Sequence, residues 1–414
     1  MTRGVHIVGA GLAGLAAAVS CAAAGRAVTL YEAGPAAGGR CRSYLDRGLG
    51  RRIDNGNHLV LSGNDATFSY LTQVGAADAL VGPAEPLFPF VDLADGLRWV
   101  VAPNAGRVPW WIFFPGRRVP GTRPKDYLAL LALRRAGAQQ TVREALGGRG
   151  PLYRRLLEPL AIAALNTPPD AGLARLLGTV VAETLMRGGT ACLPRVPRVG
   201  LSESFVDPAL AWLSAQGATL HTGRRVAALR RGEARVTALD TSDGPVPLGA
   251  DDDVVLAVPA WVAIDLLPGL IAPDAFCAIL NVHFPVAADP GRAGFWGVVG
   301  GTAEWIFVRD GVVSVTISAA NRLVDLSAED IAARVWRDVR AVLALPEPMP
   351  PVRVVKERRA THAATAAQEA RRPGPRTAWR NLVLAGDWTA TGLPATIEGA
   401  IRSGRAAADL LLAS

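Results

Sequence analysis

Lysine is nearly missing from this 414-residue chain. Of its 44 basic residues only Lys125 and Lys356 are lysine, and with 36 acids the formal charge is +8. In a chain this rich in alanine and glycine, the arginine excess reads as coding bias rather than selection for phosphate contacts. The doublets at 117–118, 134–135, 230–231 and 371–372 are dispersed, not one stripe with interleaved aromatics, so nucleic acid is not expected as a partner. Cysteine is scarce as well. Cys21, Cys41, Cys192 and Cys277 lie far apart with no C-x-x-C pair, which argues against a metal site or a disulfide framework and fits a reducing cytoplasm. Charge is low at 19%, while half of the chain is hydrophobic, enough for a large core and too much for a disordered chain. A clean membrane span is also lacking. Residues 5–24 imitate one, but three glycines at special spacing and the strand-like VTLYEA that follows oppose it, and 254–273 are broken by Asp265 and three prolines. The expected protein is cytoplasmic, or peripheral on the cytoplasmic membrane face, and does not span.

What the chain does have is glycine in telling places. It opens as strand (5–8), glycine turn, small-residue helix (12–24) and second strand (27–31). Residues 66–80 and 125–146 read as helices, and 86–123, rich in Pro, Trp and Phe, as a sheet and loop excursion. Residues 151–186 read as mainly helical, with a loop at 166–170. From 219 the pattern turns β again, 275–320 alternates like antiparallel strands, and 327–345 is an amphipathic helix with Ile331, Val335, Val339 and Val342 on one face. Strand 381–385 and helix 395–412 close the chain. A return to strands in mid-chain suggests a first sheet resumed after an insertion. The fold class expected is α/β, a Rossmann-like dinucleotide-binding domain (1–75, 200–265 and 355–414) interleaved with an α+β substrate domain (76–199 and 266–354).

Gly9-Ala-Gly11-Leu12-Ala13-Gly14 sits between strand and helix, the context a dinucleotide fingerprint demands. Gly9 permits the tight turn, Gly11 lets a pyrophosphate approach the backbone, and Gly14 allows close helix–strand packing. Free N–H groups at the helix start, from Leu12 and Ala13, then meet the phosphates. Glu32, at the end of the second strand, suits the adenosine ribose. The alternative is a glycine-rich packed helix. Gly38-Gly39-Arg40 allows a second close pass of the chain, with Arg40 available to the pyrophosphate. At the far end, Gly386-Asp387 follows a strand, and Asp387 suits ribityl hydroxyls unless it merely caps the next helix. The start of that helix, near Thr396 and Ile397, points positive charge where a reduced flavin becomes anionic. Two acids for two ends suit FAD better than NAD.

With these three motifs the chain resembles the flavin amine oxidase and phytoene desaturase superfamily. The resemblance implies an amine-oxidase-like two-domain architecture, a segment around Arg225-Val226 near the adenine, and Asp54-Asn55-Gly56-Asn57-His58 beside the isoalloxazine. His58 is then an acid or a polar wall, although a histidine in such a turn is often structural. The middle of the chain, RRIDNGNHLVLSGN (51–64), LLEPLAIAALNTPP (156–169) and CLPRVPRVGLSESFVDPALAWL (192–213), is similar to the hydroxysqualene dehydroxylase family of bacterial squalene and hopanoid synthesis. That implies an FAD-dependent oxidoreductase replacing the hydroxyl of hydroxysqualene with hydride to give squalene. His58, Asp54 and Glu158 are candidate proton donors. No second dinucleotide fingerprint is evident, so a separate electron donor is expected.

Some amine oxidases use a lysine near the flavin or a C-terminal cysteinyl flavin. Lys125 and Lys356 are awkwardly placed for the first and no Cys follows 277, so the flavin is expected to be non-covalent. The competing readings are a carotenoid-type desaturase or amine oxidase working with oxidised flavin, and a non-catalytic flavin-binding partner in a lipid-synthesis complex. Finally, Pro109-Trp-Trp-Ile-Phe-Phe-Pro115 beside Arg117 and Arg118 could contact a membrane, line an apolar tunnel or fill a core.

Overall fold

A computed structural model describes residues 3–413. Its centre is a five-stranded parallel sheet in the order Thr219–His221, Ala27–Tyr31, Gly4–Val8, Asp253–Leu256, Leu382–Leu384. Three distant stretches of chain therefore build one sheet, as the mid-chain return to β pattern predicts. Parallel strands need crossovers, and the insertions between them carry the rest of the molecule.

One face of this sheet is covered by the helices Leu12–Ala23, Asp207–Ala215 and Ile397–Leu412. Small side chains decide how closely they pack. A Cβ on Gly404 would strike the carbonyl oxygen of Ala13, and Ala16 and Ala17 lie beside it, so the last helix rests directly on the first. The other face packs against an antiparallel meander, Val226–Arg231, Val236–Thr241 and Gly244–Pro247, and the helix Ala260–Leu266.

A second, seven-stranded mixed sheet runs Arg353–His362, Phe276–Phe284, Val312–Ile317, Trp305–Arg309, Phe295–Val299, Phe88–Asp92, Arg98–Val101. The helix Ala328–Leu343 buries Ile331, Val335, Val339 and Val342 against one face, so its apolar stripe is core, as its periodicity predicts. Part of the opposite face packs on the helical stretch 110–187. The domain boundary expected at 355 falls inside Arg353–His362, which pairs along its length with Phe276–Phe284 in this second sheet.

Two helical expectations need correction. Residues 125–146 are not one helix but the short pieces Pro124–Ala129, Leu130–Arg134 and Val142–Leu146, because Gly137 interrupts the run and the αL Gly147 ends it. The helix expected over 66–80 is Asp65–Gln73, with Gly75 at φ +74° just beyond it. Wide π-type turns at Tyr153–Leu157 and Ser202–Val206 precede Pro159 and Pro208. Each proline lacks an N–H and crowds the carbonyl four residues back, and a wider turn relieves that clash.

The hairpin Ser43–Asp46 and Arg51–Asp54 is fastened to the second sheet, and through Ser202 and Leu201 to the turn that leads into Asp207–Ala215 on the first. Arg353 donates to Asp46 at 2.5 and 3.1 Å, and Arg309 donates to Asp54 at 2.9 Å. The loop that follows Asp54 is thereby held between the sheets.

Candidate flavin site and the loop beside it

At the C-terminal ends of the parallel strands, the first glycine turn is shaped as its spacing predicts. Gly9 has φ +103°, and a Cβ there would come 2.6 Å from the carbonyl oxygen of Ala257. A Cβ on Gly14 would strike the Gly9 carbonyl, so only glycine lets the helix start this close to the strand. Gly11 differs: a Cβ there meets nothing within 4 Å. It is the N-cap of Leu12–Ala23 and provides no side-chain cap, which leaves first-turn N–H groups, Leu12 and Ala13 among them, open to an anion.

The second glycine segment lies on the first. Gly38 donates to the Ala10 carbonyl at 2.8 Å, and Gly39 has φ +58° with a would-be Cβ only 3.3 Å from the Gly11 Cα. Glu32 is half-buried, its carboxylate accepting from Ala10 N at 3.0 Å and Gly34 N at 2.7 Å. Segment 221–226 runs alongside, with Glu32 N to His221 O at 2.9 Å and Arg224 N to Glu32 O at 2.8 Å, which brings the buried Val226 to the same end.

Arg40 closes the other side. It donates to Asp387 at 2.7 Å and to the Ala360 carbonyl on the second sheet. Burial alone would push the Asp387 carboxyl up, but Arg40, His362 and Arg372 hold it below the usual carboxylate range. Gly386, at φ +151°, has no room for a side chain against the Trp388 indole. Arg372 fixes the loop beyond by donating to the carbonyls of Asp387, Thr389 and Leu393. Thr396 caps Ile397–Leu412 by accepting from Gly399 N at 3.0 Å.

These residues fit a bound dinucleotide on three independent counts. The space above Gly11 is open, the first helix has an uncapped N-terminus, and the buried His362 Nε2, beside Asp387 and Arg40, has no hydrogen-bond partner among the described residues. His362 carries no motif. It enters from Arg353–His362 in the second sheet, and only the fold brings it here.

Residues 54–58 dock on the second sheet. Asn57 donates to Thr316 Oγ1 at 3.0 Å, Thr316 donates to Asn281 Oδ1 at 2.8 Å, and Asn281 donates back to the Asn55 carbonyl at 3.2 Å. Asp54 is fully engaged, accepting from Ser43 Oγ and Leu201 N on one oxygen and from Arg309 on the other. The half-buried His58 ring makes no hydrogen bond among the described residues. Burial lowers its pKa to about 4, opposed by Asp54 and helped by Arg40, so it is neutral at neutral pH.

Beyond Thr316 the same face of the sheet turns aromatic. Phe90 stacks on Trp99 at 5.5 Å, Trp305 meets Phe90 at 5.6 Å and Phe295 at 6.1 Å, and Phe307 meets Phe295 at 6.0 Å. Glu158 is not brought to the Asp54–His58 loop. It heads the helix Glu158–Leu165 and lines a separate cleft of about 410 Å³ with Asp92, Asp95, Glu304 and Arg322. Burial raises the pKa of Glu158, and it raises that of Glu304, a residue with no sequence signal, to about 7. No group of three or more metal-ligating side chains occurs among the described residues.

The cysteines are four buried thiols with no disulfide among them. Burial pushes Cys21 and Cys192 up to about 12 and raises Cys41 and Cys277 as well. No helix among the described residues is long and apolar enough to cross a membrane.

Comparison with known proteins agrees with this geometry. The model of the flavin-containing amine oxidoreductases matches residues 12–289 and 304–412. A hydroxysqualene dehydroxylase from Rhodopseudomonas palustris is 49% identical over 415 residues, covering 100% of this chain and 99% of the relative. One from Zymomonas mobilis is 46% identical over 407 residues, 98% of each chain. A probable zeta-carotene desaturase from Synechococcus elongatus is 25% identical over 99% of this chain and 98% of its own length. Among solved structures, a putrescine oxidase has a TM-score of 0.72 at 16% identity with full coverage of both chains. An oxidoreductase from Methanosarcina mazei has a TM-score of 0.73 at 16% identity, over 97% of this chain and 99% of its own. Those two share the fold expected from sequence. The protein is a flavin-dependent oxidoreductase, and the chain belongs to the hydroxysqualene dehydroxylase family within the flavin-containing amine oxidoreductases.

Proposed function

We propose that this protein binds FAD non-covalently and replaces the hydroxyl of hydroxysqualene with hydride, releasing squalene and water. Near-50% identity to dehydroxylases along the whole chain is the observation that carries the substrate. FAD rather than a shorter flavin is supported by two acids at separate strand ends, Glu32 at the adenosine end and Asp387 at the ribityl end. Non-covalent binding is supported by thiols that burial keeps protonated.

When bound, the reduced flavin supplies the hydride, and a separate electron donor restores it. The chain supplies a phosphate cradle, an apolar wall and a hydrogen-bond donor. The N–H groups behind Gly11, together with Arg40, hold the pyrophosphate. Phe307 and Trp305 line the apolar side, where aromatic faces steady positive charge left on an allylic carbon as the C–O bond breaks. Hydroxide is a poor leaving group, so a proton must reach the departing oxygen. His58, neutral at neutral pH, donates a hydrogen bond there and passes on a proton drawn from solvent. Asp54 positions the loop through Arg309.

The test is an anaerobic half-reaction. The flavin is reduced chemically and hydroxysqualene is added. Oxidised-flavin absorbance and squalene should appear together in equal amounts. A flavin that stays reduced, or an oxidised flavin bleached by a polyene or an amine, refutes the reading. His58→Ala should retain flavin and slow the reoxidation at least about tenfold, the cost of losing one hydrogen bond to a departing oxygen that gains charge. Full turnover in that variant removes His58 from the mechanism.

A further inference from the structure

The chain's positive charge is not spread evenly. Residues 101–150 hold nine cations and two acids, a net +7 of the chain's +8. Both acids are spent on local caps: Asp126 accepts from Arg123 N at 2.7 Å, and Glu144 accepts from Thr141 N at 2.9 Å. Arg107, Arg123, Lys125, Arg134 and Arg135 form no ion pair among the described residues, and all five are exposed.

The same stretch exposes the largest apolar side chains of the molecule. Trp110 is 61% exposed, Phe113 and Phe114 57% each, and Leu128 and Leu131 63% and 46%. Their immediate neighbours point inward and fix the backbone. Trp111 is buried, its ring edge-on to Tyr127 at 5.0 Å, and the Tyr127 hydroxyl accepts from Val119 N at 3.0 Å. Two short helical turns, Trp110–Phe113 and Pro124–Ala129, are thus fastened together by their buried rings while the outer rings stay in solvent. Of the three roles open to the aromatic run, core filling applies to Trp111 and not to Trp110, Phe113 or Phe114.

We propose that this cap is a docking surface for an anionic lipid bilayer. The outer rings and leucines enter the boundary between headgroups and acyl chains, and the surrounding cations meet lipid phosphates. Large aromatics ringed by arginine and lysine are what a bilayer interface selects, and the five exposed cations free of ion pairs have their complement in an anionic leaflet. Trp111, Val119, Tyr127 and Leu130 on the inner side of the cap belong to one apolar cluster with Phe90 and Trp99 on the second sheet. The inference rests on these surface observations and stands apart from the substrate proposed above.

The experiment uses the flavin-loaded full chain and co-sedimentation with vesicles of phosphatidylcholine, with or without phosphatidylglycerol. Binding should be strong with phosphatidylglycerol and much weaker without it. Trp110→Ser/Phe113→Ser/Phe114→Ser should lower the partition coefficient at least about tenfold on either vesicle. Lys125→Gln/Arg134→Gln/Arg135→Gln should cost roughly fivefold per charge on anionic vesicles at low salt and little on neutral ones. An unchanged thermal midpoint shows that each variant is folded, and Trp110→Ser alone gives a milder second test. Failure of the wild type to bind anionic vesicles, or ring variants that bind like wild type, overturns the proposal. So does a solution dimer that the ring variants abolish, which would assign the cap to a second copy of the chain.

Discussion

His283 offers a sharp test of the electrostatics between the sheets. It lies on Phe276–Phe284 at 1% exposure, with Nδ1 2.8 Å from Ser314 Oγ. Burial pushes its pKa down to about 4, with Asp54 opposing and Arg309 reinforcing the shift. In the unfolded chain the ring titrates near ~6.5. The unfolded state therefore binds more protons between those two values. The neutral ring's contribution is complete above pH 6.5 and is lost as pH falls toward 4. Near pH 5 the loss is about 2 kcal/mol, roughly 1.5 pH units at ~1.36 kcal/mol each. With an unfolding entropy of about 0.9 kcal/mol/K for a chain of this length, that is about 2 °C in Tm. His283→Gln keeps a polar group opposite Ser314 and removes the titration. Thermal midpoints near pH 7.5 and pH 5 should fall by about 2 °C less in the variant than in wild type. His362, also lowered to about 4 by burial, stays in both proteins and cancels from the comparison. Equal losses in the two proteins would show that His283 is not held neutral by the fold.

The remaining predictions concern the cradle and the cap. Gly39→Ala places a methyl 3.3 Å from the Gly11 Cα at a φ of +58° that alanine resists, so flavin affinity of the apoprotein should fall at least tenfold in a fluorescence titration. An unchanged affinity would mean that the two glycine segments do not enclose the phosphates. Trp111→Ala should cost about 3–5 kcal/mol in denaturant unfolding, and Trp110→Ala no more than about 0.5 kcal/mol, because only the first ring is buried. Similar costs at the two positions would contradict the inward and outward assignment.

Much of the backbone shape of the candidate flavin site was legible because its determinants are local. Gly9, Gly11, Gly14, Gly38 and Gly39 declare themselves by spacing; crowding or positive φ leaves Gly9, Gly14, Gly38 and Gly39 few alternatives, while the space at Gly11 is open. The helix expected over 125–146 failed for a local reason too: its apolar residues keep helical spacing, but Gly137 lies in the break between Leu130–Arg134 and Val142–Leu146. What the sequence could not reveal is the side of the site built by the second sheet. Asn281, Arg309, Thr316 and His362 have no spacing signature, since nothing local requires an asparagine or a threonine at those points in a strand. Their roles come from register. Asn281 pairs with Thr316 across Phe276–Phe284 and Val312–Ile317, while the adjacent pair Leu280 and Ile317 faces the helix Ala328–Leu343. A slip of one residue in either strand would turn its polar side chain into that apolar core and present a leucine or an isoleucine to Asn57. The buried row Leu280, Val282, Val315 and Ile317 therefore fixes the polar row beside the Asp54–His58 loop: hydrophobic burial on one face of the sheet positions the hydrogen bonds on the other.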